Sequence, residues 1–193
     1  YEVSADAMTY IFKLRRGGKF QNLPPVNGRE TDIEDWRASH ERFMAEGYYR
    51  NTLRQVLDRV EFPDNQTMVY RMKEPYGYLL EKMVYLTHYA ILPRELHEKE
   101  LARQVALGTG YRILERREPS VTVEMRSNPD YWKGKPFIER WRYAVIPEYA
   151  NRYAQFVAGH IWSLPLASRD VLRVRKDAPG SQLIVTDSSL GGG

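Results

Sequence analysis

Three features of this chain could do chemistry: the acidic cluster Asp32, Glu34 and Asp35, the four histidines, and the turn Gly108-Thr109-Gly110. Carboxylates this close together are the raw material of a metal site or an acid/base pair. Here they open a run in which Ile33, Trp36, Arg37, His40 and Phe43 fall near one helical face. The first turn of a helix explains the acids, because carboxylates favour its positive end. Thr31 as N-cap with Glu34 three residues on predicts a capping box. His88 lies in an apolar setting and His97 beside glutamates, and no two histidines have ligand spacing with an acidic third partner, so no metal site is expected. Gly108-x-Gly110 opens like a dinucleotide fingerprint. Ile113, however, takes the third glycine position, and a strand broken by Pro119 stands where a helix N-terminus is needed. No nucleophile elbow, Walker loop or H-E-x-x-H helix occurs. No catalytic residue set, metal or cofactor is expected.

The 193 residues can bury a real core as one domain or two small ones. The 29 basic residues against 25 acidic ones leave a net charge of +4. Arg15-Arg16, Arg116-Arg117 and Arg173 to Lys176 are scattered rather than gathered in one stripe, which reads as a solvated surface. With no cysteine in the chain, disulfides, thiol catalysis and zinc-thiolate sites are all ruled out. No apolar run reaches bilayer-spanning length, and no basic-then-apolar signal peptide opens the chain. Because its first residues from Tyr1 already look like a strand, the chain is expected to be a piece of something longer.

The elements that must position any site are mostly hairpins. Tyr1 to Val3 and Thr9 to Leu14 pair across a Ser-Ala-Asp turn. Val56 to Lys73 holds a second hairpin whose Met68, Tyr70 and Met72 alternate as a core stripe. A helix is expected from Pro75 through Leu86. Tyr111 to Arg116 and Val121 to Arg126 form a third hairpin about the Pro119-Ser120 turn, each strand with one wet face. Asn128-Pro129-Asp130-Tyr131-Trp132 is a directed exit loop, since the residue before proline is biased to extended geometry. A strand over Trp141 to Ile146, a helix with Pro147 at its first position and Gly159 at its end, and a strand following Gly159 make a βαβ-like unit, and Gln182 to Thr186 is a separate strand further on. Ala167 to Lys176 is one more helix.

This layout resembles the family 5 extracellular solute-binding proteins, the peptide, nickel and oligosaccharide receptors of bacterial ABC importers. The opening hairpin phrase of that family matches at Val3, Ser4, Asp6, Thr9, Tyr10, Phe12, Leu14, Arg15, Lys19 and Phe20. It departs with Ala7 for a glycine and Gln21 for a histidine. Gly108-Thr109-Gly110-Tyr111 matches its G-T-G-P-Y without the proline, and Asn128 to Trp132 is a complete N-P-x-Y-W. Thr31 to Asp35 is an altered form of its T-A-x-D-V segment. Ala158-Gly159-His160-Ile161 follows its A-G-x-x-D, but Trp162 replaces the acid.

The resemblance implies an α/β (mixed α+β) fold, a lobe like that of type II periplasmic binding proteins, with hairpins and a mixed sheet flanked by helices and the second lobe absent. Residues 1–104 would form a side subdomain of the first lobe, and 105–193 part of its main sheet domain leading to the hinge. The parent would capture a peptide-like or other small polar solute in the periplasm or outside the cell, anchored as a lipoprotein, and deliver it to ABC permease subunits. Ser188, Ser189, Leu190 and Gly191 would line or border the solute pocket. Neither enzymatic activity nor nucleic-acid binding is expected. The alternatives are an enzyme with a site of dispersed Tyr, Arg and acidic residues, and a basic nucleic-acid-binding module.

Overall fold

Strand Thr67–Met72 (β4) is apolar on both faces: Met68, Tyr70 and Met72 are buried, and so is Val69 between them. A strand buried on both faces belongs inside a sheet rather than at its edge. The computed structural model, which describes residues 1–84, 89–97 and 101–185, places it there. Strands Glu2–Val3 (β1), Thr9–Lys13 (β2) and Leu57–Glu61 (β3) complete a four-stranded sheet of order β1-β2-β4-β3, antiparallel at every pair. Tyr10 faces Tyr70 across β2 and β4, and Phe12 meets the Tyr70 ring edge-on at 5.7 Å. Burying each such side chain contributes about 1.5–3 kcal/mol.

Helix Ile33–Glu46 (α1) packs on this sheet. Its capping box sits one residue later than expected. The Asp32 carboxylate accepts from the backbone of Glu34 and Asp35, and the Asp35 side chain returns to the Asp32 N–H. Thr31 is engaged elsewhere, its N–H and hydroxyl both donating to the Gly18 carbonyl. Helix Arg50–Val56 (α2) leads straight into β3. Helix Leu79–Val84 (α3) starts four residues after Pro75, because the Tyr76 backbone is held away from helical geometry by Tyr10 Oη donating to its carbonyl (2.7 Å) and its own N–H reaching Ala7. The expected end of that helix at Leu86, and His88, lie outside the described residues. A 3-10 turn at Arg94–Leu96 and a short helix Leu101–Gln104 (α4) follow.

Strands Arg112–Glu118 (β5), Thr122–Ser127 (β6) and Arg140–Ala144 (β7) form a second sheet of order β5-β6-β7. Ile113 is its buried apolar side chain. The expected alternation in β6 is not seen, since Val123 to Ser127 are all half-buried and Thr122, not Val121, is the buried residue. Long charged side chains cover the surface that was expected to be wet. Glu115 on β5 pairs with Arg126 and Arg140, and Glu124 on β6 with Arg116 and Arg142.

The chain divides into two compact units: Tyr1–Glu118 with Val123–Tyr143, and Pro119–Thr122 with Ala144–Gly193. In the second, helix Tyr149–Val157 (α5) follows Glu148 as N-cap, so Pro147 precedes the helix rather than opening it. The helix closes on Gly159 at φ +75°. Gly159 N–H reaches the Phe156 carbonyl and His160 N–H that of Gln155, the paired bonds of a Schellman motif. A 3-10 turn, Ser168–Asp170, leads into helix Val171–Asp177 (α6). No strand forms over 182–185, where Leu183, Ile184 and Val185 are exposed. A strand needs a paired edge, and among the described residues this segment pairs with no strand. No strand follows Gly159 over 160–167 either, so the expected βαβ-like unit is incomplete among the described residues.

Candidate functional site

Three of the phrases that carried the resemblance, the first hairpin, Gly108 to Tyr111 and Asn128 to Trp132, meet in space. Gln21, buried at the end of the first hairpin phrase, donates through its side-chain amide to the Arg112 carbonyl at 2.6 Å, and its N–H reaches the Gly108 carbonyl at 3.0 Å. Asn128, 1% exposed, closes the opposite side. Its side-chain amide donates to the Gly110 carbonyl, its N–H to the Tyr111 carbonyl, and its side-chain oxygen accepts from Asp130 N–H. Buried polar groups satisfied in this way fix backbone position. Two segments distant in sequence thereby hold the 108–112 turn between them.

The frame carries an aromatic face. Tyr111 lies 5.8 Å from Tyr131 and 5.8 Å from Trp141, and Tyr131 5.6 Å from Trp132. The Arg112 guanidinium sits over Tyr111 and Trp141 at 4.7 and 4.8 Å and donates to the Tyr143 hydroxyl. Arg15 stacks on Trp132 at 4.3 Å. Tyr111, Trp132 and Tyr143 are about 40% exposed. Exposed rings with guanidinium groups among them suit planar, polar partners such as amides. The geometry offers contact surface and hydrogen bonding, with no nucleophile–base pair in it.

Elsewhere in the first unit, Arg29 forks between Asp35 and Glu95, with both carboxylates at 2.6 Å, while Asp35 also accepts from Arg94 N–H. Arg29 holds the Glu95 carboxyl below the usual carboxylate range, and both carboxylates raise the Arg29 pKa. His40 Nδ1 lies 2.8 Å from Tyr89 Oη, and Tyr70 Oη also bonds to Tyr89 Oη. Burial pushes His40 down to about 4 and both phenols up. Of the acidic cluster Asp32, Glu34 and Asp35, only Asp35 is buried, and it braces Arg29 and the Arg94 backbone from the interior. Among the described residues no group of three or more His, Asp or Glu is placed to hold a metal ion.

In the second unit an open cleft of about 500 Å³ lies along α5 and α6. Its polar groups are already paired: Tyr149 Oη donates to Asp170 at 2.9 Å, and Tyr153 Oη to Asp177 at 3.0 Å. Ser188, Ser189, Leu190 and Gly191, the residues expected at the pocket, lie outside the described residues. The aromatic face was not anticipated as a unit. Its signal was present in the spacing of Tyr111, Tyr131, Trp132, Trp141 and Tyr143 around a hairpin and its exit loop.

These features define a class: a mixed helix-and-sheet lobe of the type II periplasmic-binding-protein kind. Residues 1–191 match the model of the bacterial extracellular solute-binding proteins, family 5 Middle, and the chain belongs to that family, whose members are substrate-binding proteins. It is 29% identical over 166 residues to di/tripeptide-binding protein 2 of Pseudomonas aeruginosa, an alignment covering 75% of this chain and 31% of that protein. HbpA2 from Haemophilus parasuis superposes with a TM-score of 0.75 at 25% identity, over 92% of this chain and 39% of that one. The periplasmic binding protein DppA from Helicobacter pylori, in complex with the peptide STSA, does so with a TM-score of 0.80 at 20% identity, over 91% and 38%. The chain spans about a third of the length of the curated relatives it matches. No helix among the described residues is long and apolar enough to cross a membrane.

Proposed function

We propose that this chain is part of the first lobe of an ABC-transporter receptor that captures short peptides outside the cytoplasmic membrane. The single observation that carries the reading is the family match over 1–191, with phrases that meet around one turn. The Pseudomonas relative named for di- and tripeptides and the Helicobacter protein holding STSA support a peptide as the solute. Within the parent, residues 1–104 form the side subdomain and 105–193 enter the main sheet domain. Ser188, Ser189, Leu190 and Gly191 border the pocket, and hinge closure against a second lobe buries the peptide. The parent sits in the periplasm or outside the cell as a lipoprotein, hands its solute to permease subunits, and performs no reaction on it.

Calorimetry of the full-length protein against di-, tri- and tetrapeptides tests this, with mass spectrometry of the recovered ligand. The expected result is saturable one-to-one binding and release of intact peptide. Cleavage of the peptide, or no binding across the set, would overturn the proposal.

A further inference from the structure

The first unit contains a second, smaller opening, remote in sequence from the aromatic face. It is a pocket of about 140 Å³ among α1, α2 and α3, with Phe43, Leu53, Leu79, Met83 and the Tyr89 ring in its apolar lining. Leu53 and Leu79 are buried, and the Phe43 and Tyr89 rings lie 5.1 Å apart. The Tyr89 hydroxyl is taken by His40 and Tyr70, so the phenol is not competing for a ligand proton. A cavity of about 150 Å³ admits a benzene-sized molecule, so this pocket, open on one side, has room for one six-membered ring. Lys82 is the only charged side chain in the lining. It is exposed, and among the described residues it forms no ion pair. An apolar ring-sized pocket beside one uncommitted cation has the shape and charge of an arylcarboxylate.

We propose that this pocket is a binding site for small aromatic carboxylates of the benzoate class, with the ring against Phe43, Leu53 and Met83 and the carboxylate at Lys82. The site stands apart from peptide capture, and its occupancy does not require the second lobe. For a ligand of this size the expected Kd is on the order of 0.1–1 mM.

The test is a heteronuclear NMR titration of the 193-residue chain with benzoate and with benzyl alcohol, the neutral analogue. Saturable shifts are expected at amides of 43–53 and 76–83 with both ligands. Lys82→Gln, at an exposed position, should weaken benzoate about two- to fivefold, as loss of an exposed ion pair does, and leave benzyl alcohol unchanged. Met83→Trp, which fills the pocket with an indole, should abolish both. Absence of saturable shifts with wild type, equal effects of Lys82→Gln on the two ligands, or undiminished binding in a folded Met83→Trp protein would each overturn the proposal.

Discussion

The two units of this chain solve the problem of burial differently. The first wraps a double-sided strand, β4, between a helix and two neighbouring strands, and it buries large side chains, Tyr10, Tyr70, Phe20 and Met68, almost wholly out of water. The second rests on two short helices in which Tyr153 and Val174 are the buried apolar side chains, while Trp162 and Leu172 stand 85% and 79% exposed. Its helices are joined largely by hydrogen bonds from tyrosine hydroxyls to carboxylates. Such bonds contribute about 1 kcal/mol each, less than a buried aromatic ring. The difference teaches that the stability of the described chain resides in the first unit.

The sharpest way to break that contrast is Tyr70→Ala. Removing this ring from the sheet core should destabilise the protein by about 3–5 kcal/mol in urea unfolding. A loss below about 1 kcal/mol would mean that the core does not hold the fold.

Next in size is a pH effect seated in the same core. His40 ordinarily titrates near 6.5 and burial lowers it to about 4. Between those values the unfolded chain binds a proton that the folded one refuses. The stabilisation is therefore present above pH 6.5 and is lost as pH falls towards 4, by on the order of 3 kcal/mol. His40→Asn should flatten this window in denaturant titrations run across pH. A lower step should survive in that variant, because Glu95, held below 4.5 by Arg29, gives up its contribution only at more acid pH.

A smaller change of opposite sign is expected at Ala7. It holds φ +53°, a left-handed conformation that glycine takes freely, at the position where the family phrase has glycine. Ala7→Gly should stabilise the protein by about 0.5–1 kcal/mol, read as a raised midpoint of unfolding. Smallest of all, Leu172→Ser on the exposed face of α6 should move stability by no more than about 0.5 kcal/mol. A large loss there would show that the second unit has a core of its own after all.

Local pattern made part of this legible and distance hid the rest. The hairpin around Pro63, the Met68-Tyr70-Met72 stripe and the glycine close of α5 all follow from spacing within a dozen residues. The capping box was misplaced by one residue because the Thr31 hydroxyl bonds Gly18, a partner that no local window contains. The start of α3 moved for the same reason, through Tyr10 and Ala7 reaching the Tyr76 backbone. Gln21 could be read only as a departure from a family phrase, although its side chain crosses to residue 112. The strand expected over Gln182 to Thr186 holds Ile184, Val185 and Thr186, whose β-branching gives propensity but not a partner edge. Ser188 to Gly191 rested on resemblance alone, and they remain part of the proposal rather than of the described geometry.

In the proposed function this chain supplies one wall of a peptide-binding cleft. Its most direct test is calorimetric titration of one tetrapeptide into the 193-residue chain and, in parallel, into the full-length protein. Saturable binding by the full-length protein, with no saturation of the 193-residue chain under the same conditions, is the predicted result. Binding of equal strength by both would contradict it, because the wall would then be a complete site.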